Sequence, residues 1–240
     1  NGRAEGVVTS DGELLGADAV VVNADAEYAR TELLPEEGRR KPPDPSLSGF
    51  VLLAGSARCF PDLAHHNVFF PEDYEREFRE ILLDGKPCRE PAVYVSLSAR
   101  TVPSHAPPGC SNLFVLVNAP PLPERRKEGA WAWEKEAPAY GEHLLRVLES
   151  RGLAGAGEGI GLRRTITPPD LASEFNAWRG TIYGGSSNSR RAAFLRSPNR
   201  SPRTANLYYA GGSAHPGGGV PMVMLSGRIA SGLLMKDCPP

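Results

Sequence analysis

Short apolar runs separated by polar turns dominate the first half of the chain. Ala4-Glu5-Gly6-Val7-Val8-Thr9 and Glu13-Leu14-Leu15 flank Ser10-Asp11-Gly12, which predicts a hairpin closed by an Asp-Gly turn. In Ala19-Val20-Val21-Val22 every residue is apolar and three are β-branched, the pattern of a central strand covered on both faces, ending at Asn23-Ala24-Asp25. A helix is expected over 26–34. The stretch 35–45, rich in Pro, Glu and Arg, reads as a surface connection.

Four further runs, 49–54, 67–70, 92–97 and 113–118, carry β-branched or aromatic residues and are bounded by Pro or Gly, so they predict closely spaced strands of a mixed or antiparallel sheet. Between them, 71–83 has Pro and acids in its first turn and apolar Tyr74, Phe78, Ile81 and Leu82 at helical spacing. A second helix is expected over 133–151, where Leu144, Leu145, Val147 and Leu148 oppose Glu142, Arg146 and Glu149, with Gly152 as its end. The glycines of 155–161 do not have nucleotide-loop spacing and follow a helix, so they read as a turn into a strand over 161–167. A short helix should then run to Trp178-Arg179-Gly180. Helices alternating with short strands place the chain in the α/β class, α+β mixed.

Composition narrows the function classes. The 27 basic and 28 acidic residues leave a formal charge of -1, which offers no general attraction to nucleic acid. Cys59, Cys88, Cys110 and Cys238 stand far apart, without CxxC or zinc spacing, so neither a metal site nor a disulfide framework is indicated and a reducing, cytoplasmic compartment fits. Apolar stretches are interrupted well short of the roughly 20 residues that span a bilayer. The opening Asn1-Gly2-Arg3 has no initiator Met and reads as the middle of a longer chain.

The chemistry is concentrated in Asn206-Leu207-Tyr208-Tyr209-Ala210-Gly211-Gly212-Ser213-Ala214-His215-Pro216-Gly217-Gly218-Gly219-Val220-Pro221 and the stretch Met222 to Met235. It reads as strand, glycine-rich loop, helix. Glycines at a strand exit let backbone N–H groups approach a flat or phosphorylated ligand. The helix N-terminus would favour negative charge at the same place, and Pro221 suits a first turn. Ser226, Gly227, Ala230, Ser231 and Gly232 are small enough for close packing on a sheet or a cofactor, and tight helix–strand packing alone would also account for them.

This segment resembles the bacterial phytoene dehydrogenase and carotenoid desaturase group of flavoproteins. There, a strand ending in two small residues leads into a His-Pro-Gly loop, another Gly, an aliphatic residue and a Ser-Gly helix. Gly211, Gly212, His215-Pro216-Gly217, Gly219, Val220 and Ser226-Gly227 match it. Tyr209 stands where an aliphatic residue is usual and Gly218 where Ala, Ser or Thr is usual. The run 190–200 and the strand 17–25 are similar to the family's corresponding segments and come in the same order.

The resemblance implies non-covalent FAD and removal of hydrogens from a carotenoid such as phytoene or a hydroxycarotenoid, with carotenoid isomerases and retinol saturases sharing the fold. It implies that 1–34 and 201–240 complete a Rossmann-like FAD-binding domain of amine oxidase type, that 45–200 forms a mixed-sheet substrate domain, and that the chain is the C-terminal portion of such a protein. A non-catalytic hydrophobic-ligand module is the rival from another class. The cofactor-binding set is Gly211, Gly212, His215, Gly218, Gly219, Val220, Pro221 and Met222, with no catalytic residue assigned, because a hydrocarbon offers no handle for acid or base. His215 in a tight His-Pro loop reads as structural rather than catalytic. Arg179, Arg190, Arg191, Arg196, Arg200, Arg203 and Arg228 fall in a stretch with no acidic residue, a positive field suited to FAD phosphates or anionic lipid at the cytoplasmic face of a membrane, or simply a solvated face. Phe69, Phe70, Tyr94 and Trp178 are candidates for a polyene channel or for ordinary core.

Overall fold

The computed structural model describes residues 2–34, 42–125, 131–188 and 196–239. Two units form, one from Leu47–Leu171 and one from Asn1–Ser46 together with Ala172–Pro240. The described residues of 172–200, expected with the middle of the chain, thus group with its two ends.

The hairpin forms as β1 (Gly6–Val8) and β2 (Leu14–Gly16), antiparallel, with Gly12 donating to the Thr9 carbonyl in the turn. β3 (Val20–Val22) follows. Val20 and Val22 are half-buried, but Val21 is 46% exposed, against the expected burial on both faces. Side chains alternate along a strand, and Val21 points to the face of β3 opposite Val20 and Val22, which the described residues leave exposed. Asp25 caps α1 (Ala26–Tyr28), accepting from the Glu27 and Tyr28 amides, and the helix continues as a wider π turn over Ala29–Leu33. Most of the expected connection, residues 35–41, lies outside the described residues.

In the middle unit, β4 (Ser48–Ser56), β5 (His66–Phe69), α2 (Tyr74–Leu82), β6 (Val93–Ser96), β7 (Ser111–Ala119), α3 (Trp133–Ser150) and β8 (Ile160–Ile166) follow in that order. The strands make one sheet, β5-β6-β7-β4-β8, antiparallel throughout. Strand alternation sends Phe50, Leu52, Ala54, Val93, Val95, Leu113, Val115 and Val117 to one face, where they are buried. α3 contributes Trp133, Ala137, Tyr140, Leu144, Leu145 and Leu148 to the same core, a stripe at helical spacing. Gly141 lets it lie close, because a Cβ there would already touch Phe50 and Leu52. Phe50 stacks on Trp133 and meets the Tyr140 ring edge-on at 5.1 Å. α2 adds a buried acid: Glu77 accepts from the Ala92 amide and the Asn118 side chain, each at 2.8 Å.

α4 (Pro168–Glu174) and a short turn over Trp178–Gly180 return the chain to β9 (Leu207–Tyr209), which pairs in parallel with β3, Val21 opposite Tyr208. α5 (Val220–Asp237) closes the described chain. No described helix is long and apolar enough to cross a membrane.

Candidate functional site

β9 ends at Tyr209, and the parallel ladder extends one residue as the Ala210 amide donates to the Val22 carbonyl at 3.0 Å. From there Gly211 to Gly219 make the expected loop into α5. Two glycines are required by their surroundings. Gly211 has φ 122 and a Cβ would stand 3.0 Å from the Asn23 amide nitrogen, while at Gly218 a Cβ would fall 2.0 Å from the Tyr183 ring. Gly219 differs: its φ is 95, yet nothing lies within 4 Å of where its Cβ would be. Its backbone faces open space.

α5 starts at Gly219 without a side-chain cap, and Pro221 occupies its first turn. The Val220 and Met222 amides therefore lie among the first-turn donors that a helix cannot satisfy within itself. Val220, Pro221 and Met222 are exposed, Gly212 and Gly218 half-buried, Gly211 buried. A flat cofactor fits this arrangement: an unfilled glycine surface beside uncapped helix amides is a cradle that side chains would close. His215 is engaged through its backbone, its amide donating to Ser197 and its carbonyl accepting from Asn199, which places it in the loop's frame.

The frame itself was not foreseen in the sequence. Asn199 is buried and its amide nitrogen lies 2.8 to 3.0 Å from the Tyr209 and His215 carbonyl oxygens and the Ser226 hydroxyl, its two N–H groups shared among the three acceptors. Ser226, fully buried in α5, accepts from the Gly211 amide at 3.1 Å. Ser213 accepts from Ala26 at 2.8 Å, joining the loop to α1. Arg196 donates to the carbonyls of Tyr183, Gly212 and Gly185 and to the Ser187 hydroxyl, and burial lowers its pKa. Its guanidinium thus ties one loop carbonyl, that of Gly212, to the Tyr183 and Gly185 carbonyls while keeping its charge. Arg200 pairs with Asp237, and Arg179 lies over the Trp178 ring. Arg190 and Arg191, with the rest of 189–195, lie outside the described residues.

A second feature belongs to the middle unit. The sheet face away from α3 lines a cavity of about 990 Å³. Tyr94 borders it, as do Leu53, Phe114 and Leu162. Of the other channel candidates, Phe69 packs against the core under α3 and Phe70 is exposed. Among the described residues, no group of three or more His, Cys, Asp or Glu could hold a metal ion.

No family model matches the chain. It is 32% identical over 239 residues to a 1-hydroxycarotenoid 3,4-desaturase from Flavobacterium sp. (strain P99-3), covering 98% of this chain and 47% of that protein. It is 35% identical over 239 residues to a zeta-carotene-forming phytoene desaturase from Myxococcus xanthus, covering 98% and 45%. The crystal structure of an oxidoreductase from Methanosarcina mazei shares the fold, with TM-score 0.58 at 18% identity, over 97% of this chain and 46% of that one. The chain spans about half the length of the curated relatives it matches. On this likeness along nearly its whole length, the chain belongs to the phytoene dehydrogenase and carotenoid desaturase family.

Proposed function

We propose that this chain forms part of an FAD-dependent enzyme that desaturates a carotenoid precursor, such as phytoene or a hydroxycarotenoid, in carotenoid biosynthesis. The observation that carries the reading is the open backbone of Gly219 beside the uncapped start of α5. In it, Gly211, Gly212, Gly219, Val220, Pro221 and Met222 lie against the flavin, with His215 and Gly218 shaping the loop. Residues 1–34 and 201–240 belong to the flavin-binding domain and the sheet of the middle unit to the substrate domain.

When bound, FAD supplies the two-electron oxidation of a saturated C–C bond. The protein's own work is to hold, align and dry the reactants. Backbone amides of Val220 and Met222 favour negative charge near the helix start. Asn199, Ser226 and Arg196 keep the loop carbonyls turned inward, so the cradle is organised before a ligand arrives. The apolar sheet face of the middle unit offers a surface on which a polyene can lie without water. Because such a substrate is held in bilayers, peripheral attachment at the cytoplasmic face of a membrane is part of the proposal.

The test is the visible spectrum of the protein purified from its full reading frame, followed by pigment analysis after incubation with phytoene, lipid and an electron acceptor. Flavin absorbance with a red-shifted polyene product supports the reading. A folded protein with neither flavin nor product overturns it.

A further inference from the structure

Gly211, Gly217 and Gly219 of the loop take positive φ values, which favour glycine for its backbone freedom. Gly218 does not, so its backbone would accept a side chain. What excludes one is a neighbour: Cγ, Cδ1 and Cε1 of Tyr183 fill the place where a Cβ of residue 218 would stand. One edge of the phenol ring thus rests directly on the loop backbone.

The ring is held there by its own main chain. The Tyr183 amide donates to the Ser46 hydroxyl at 3.2 Å, and its carbonyl accepts from Arg196 Nη1 at 3.1 Å. The same nitrogen reaches the Gly212 carbonyl at 3.2 Å, so one guanidinium fixes Tyr183 against the loop. Next in sequence, Gly184 has φ 65, and a Cβ there would stand 2.8 Å from Ser213 Cβ and 3.1 Å from Asp25 Oδ2. Residues 183 and 184 are therefore wedged between the loop and the start of α1. Yet Tyr183 is 45% exposed, and among the described residues its hydroxyl has no hydrogen-bond partner. A tyrosine that serves packing buries its ring and, when buried, usually pairs its hydroxyl. Tyr183 does neither, and it is seated on the residue before Gly219, where the backbone faces open space.

Resting on the desaturase reading, we propose that the Tyr183 ring is a wall of the cradle and touches the bound flavin, and that residue 218 is glycine in order to seat that ring. An aromatic ring fixed at one edge offers its faces and free edge to a flat ring system at low entropic cost, because its position is set before the ligand arrives. Its role is contact and alignment, not proton transfer.

For the test, the complete protein is stripped of flavin and titrated with FAD, and two quantities are read: the dissociation constant and the fluorescence of the bound flavin. A phenol touching an excited flavin quenches it by donating an electron, which a phenyl ring does not. Tyr183→Phe keeps the ring, so it should bind FAD within about twofold of the wild type while the flavin fluorescence rises severalfold. Tyr183→Leu removes the ring and should weaken binding about tenfold. Gly218→Ala unseats the ring and should weaken binding to a similar degree, but should cost nothing further in the Tyr183→Leu background. Unchanged fluorescence in Tyr183→Phe, unchanged affinity in Tyr183→Leu or additive losses in the double variant overturns the proposal; a ring that merely props the loop gives the first of these. Wild-type protein that takes up no FAD overturns this contact and the desaturase reading together. FAD binding that depends on Tyr183, without conversion of phytoene, sinks desaturation and keeps the contact; conversion indifferent to Tyr183 does the reverse.

Discussion

Around β4 and α3, buried apolar side chains from β4, β6, β7 and a helix meet in one continuous core, with Phe69 of β5 and Ile160 of β8 at its edge, whereas around the glycine loop the apolar cluster among the described residues is built on four buried side chains, Ala29, Leu207, Tyr209 and Ala214. What holds the loop is polar: Asn199, Ser226 and Arg196 reach across 10 to 27 positions of sequence to backbone groups and, in the case of Asn199 and Ser226, to each other. The difference follows from what each region is for. A sheet and helix can bury their backbone bonds within themselves and leave side chains free to pack. A loop that must present its own backbone has no ladder to satisfy it, so side chains take over that task. Hydrogen bonds of this kind fix a shape while contributing modest net stability.

The comparison can be broken most directly at its apolar end. Leu144→Ala, at a fully buried position under β4, should lower unfolding free energy by about 3 kcal/mol, read as a shifted urea midpoint of the complete protein. Flavin content per folded molecule should be unchanged. On the polar side, Asn199→Ala removes the side-chain donor that reaches the Tyr209 and His215 carbonyls and the Ser226 hydroxyl, which keeps its bond from the Gly211 amide, a loss of about 2 kcal/mol. Here flavin content should fall as well. If both variants lose flavin in proportion to stability, the division of labour between the two regions is wrong.

The apolar region was the more legible of the two. Alternation along 49–54 and 113–118 and the stripe at Leu144, Leu145 and Leu148 mark β4, β7 and α3, because each signal lies within one element. The glycine loop was legible for the same reason, its residues being contiguous. Its supports were not: Asn199 and Ser226 carry no local pattern, and a run of arginines looks alike whether it faces water or, as Arg196 does, its own backbone. Glu77 shows the same limit in the middle unit. It sits among acids on an amphipathic helix, and only the fold reveals that the Ala92 and Asn118 donors await it. Val21 marks the converse error, since a run of β-branched residues identifies a strand but not whether anything packs on both of its faces.

A smaller change sharpens the contrast within the loop itself. Gly219→Ala puts a methyl group into open space at φ 95, ψ 141, so no protein atom is displaced and only backbone strain, about 1–3 kcal/mol, is expected. The methyl would nevertheless stand in the proposed cradle. Absorbance at the flavin band should therefore drop far more than the thermal midpoint does, while Gly227→Ala on the same helix, also with nothing within 4 Å, serves as the control. Full flavin retention in Gly219→Ala would remove the loop from the cofactor site.

The smallest expected effect concerns Asp25, where β3 meets α1. Burial holds its carboxyl above the ordinary value of 3.8, with the Tyr28 amide and the Arg30 charge opposing that rise. The folded protein thus favours the neutral form. The group's contribution to stability is fully present below the unfolded value and is lost as pH rises through the folded one. Asp25→Asn keeps a side-chain oxygen to accept from Glu27 and Tyr28 and carries no charge at any pH. The variant should accordingly be slightly more stable than the wild type at neutral pH, with the advantage shrinking as pH falls through the range in which Asp25 gains its proton. Urea midpoints at pH 7 and at the lowest pH where both proteins stay folded decide it. A variant less stable at pH 7 would mean that the carboxylate's attraction to the start of α1 outweighs its burial, and that even the edge of the loop region depends on charge rather than on packing.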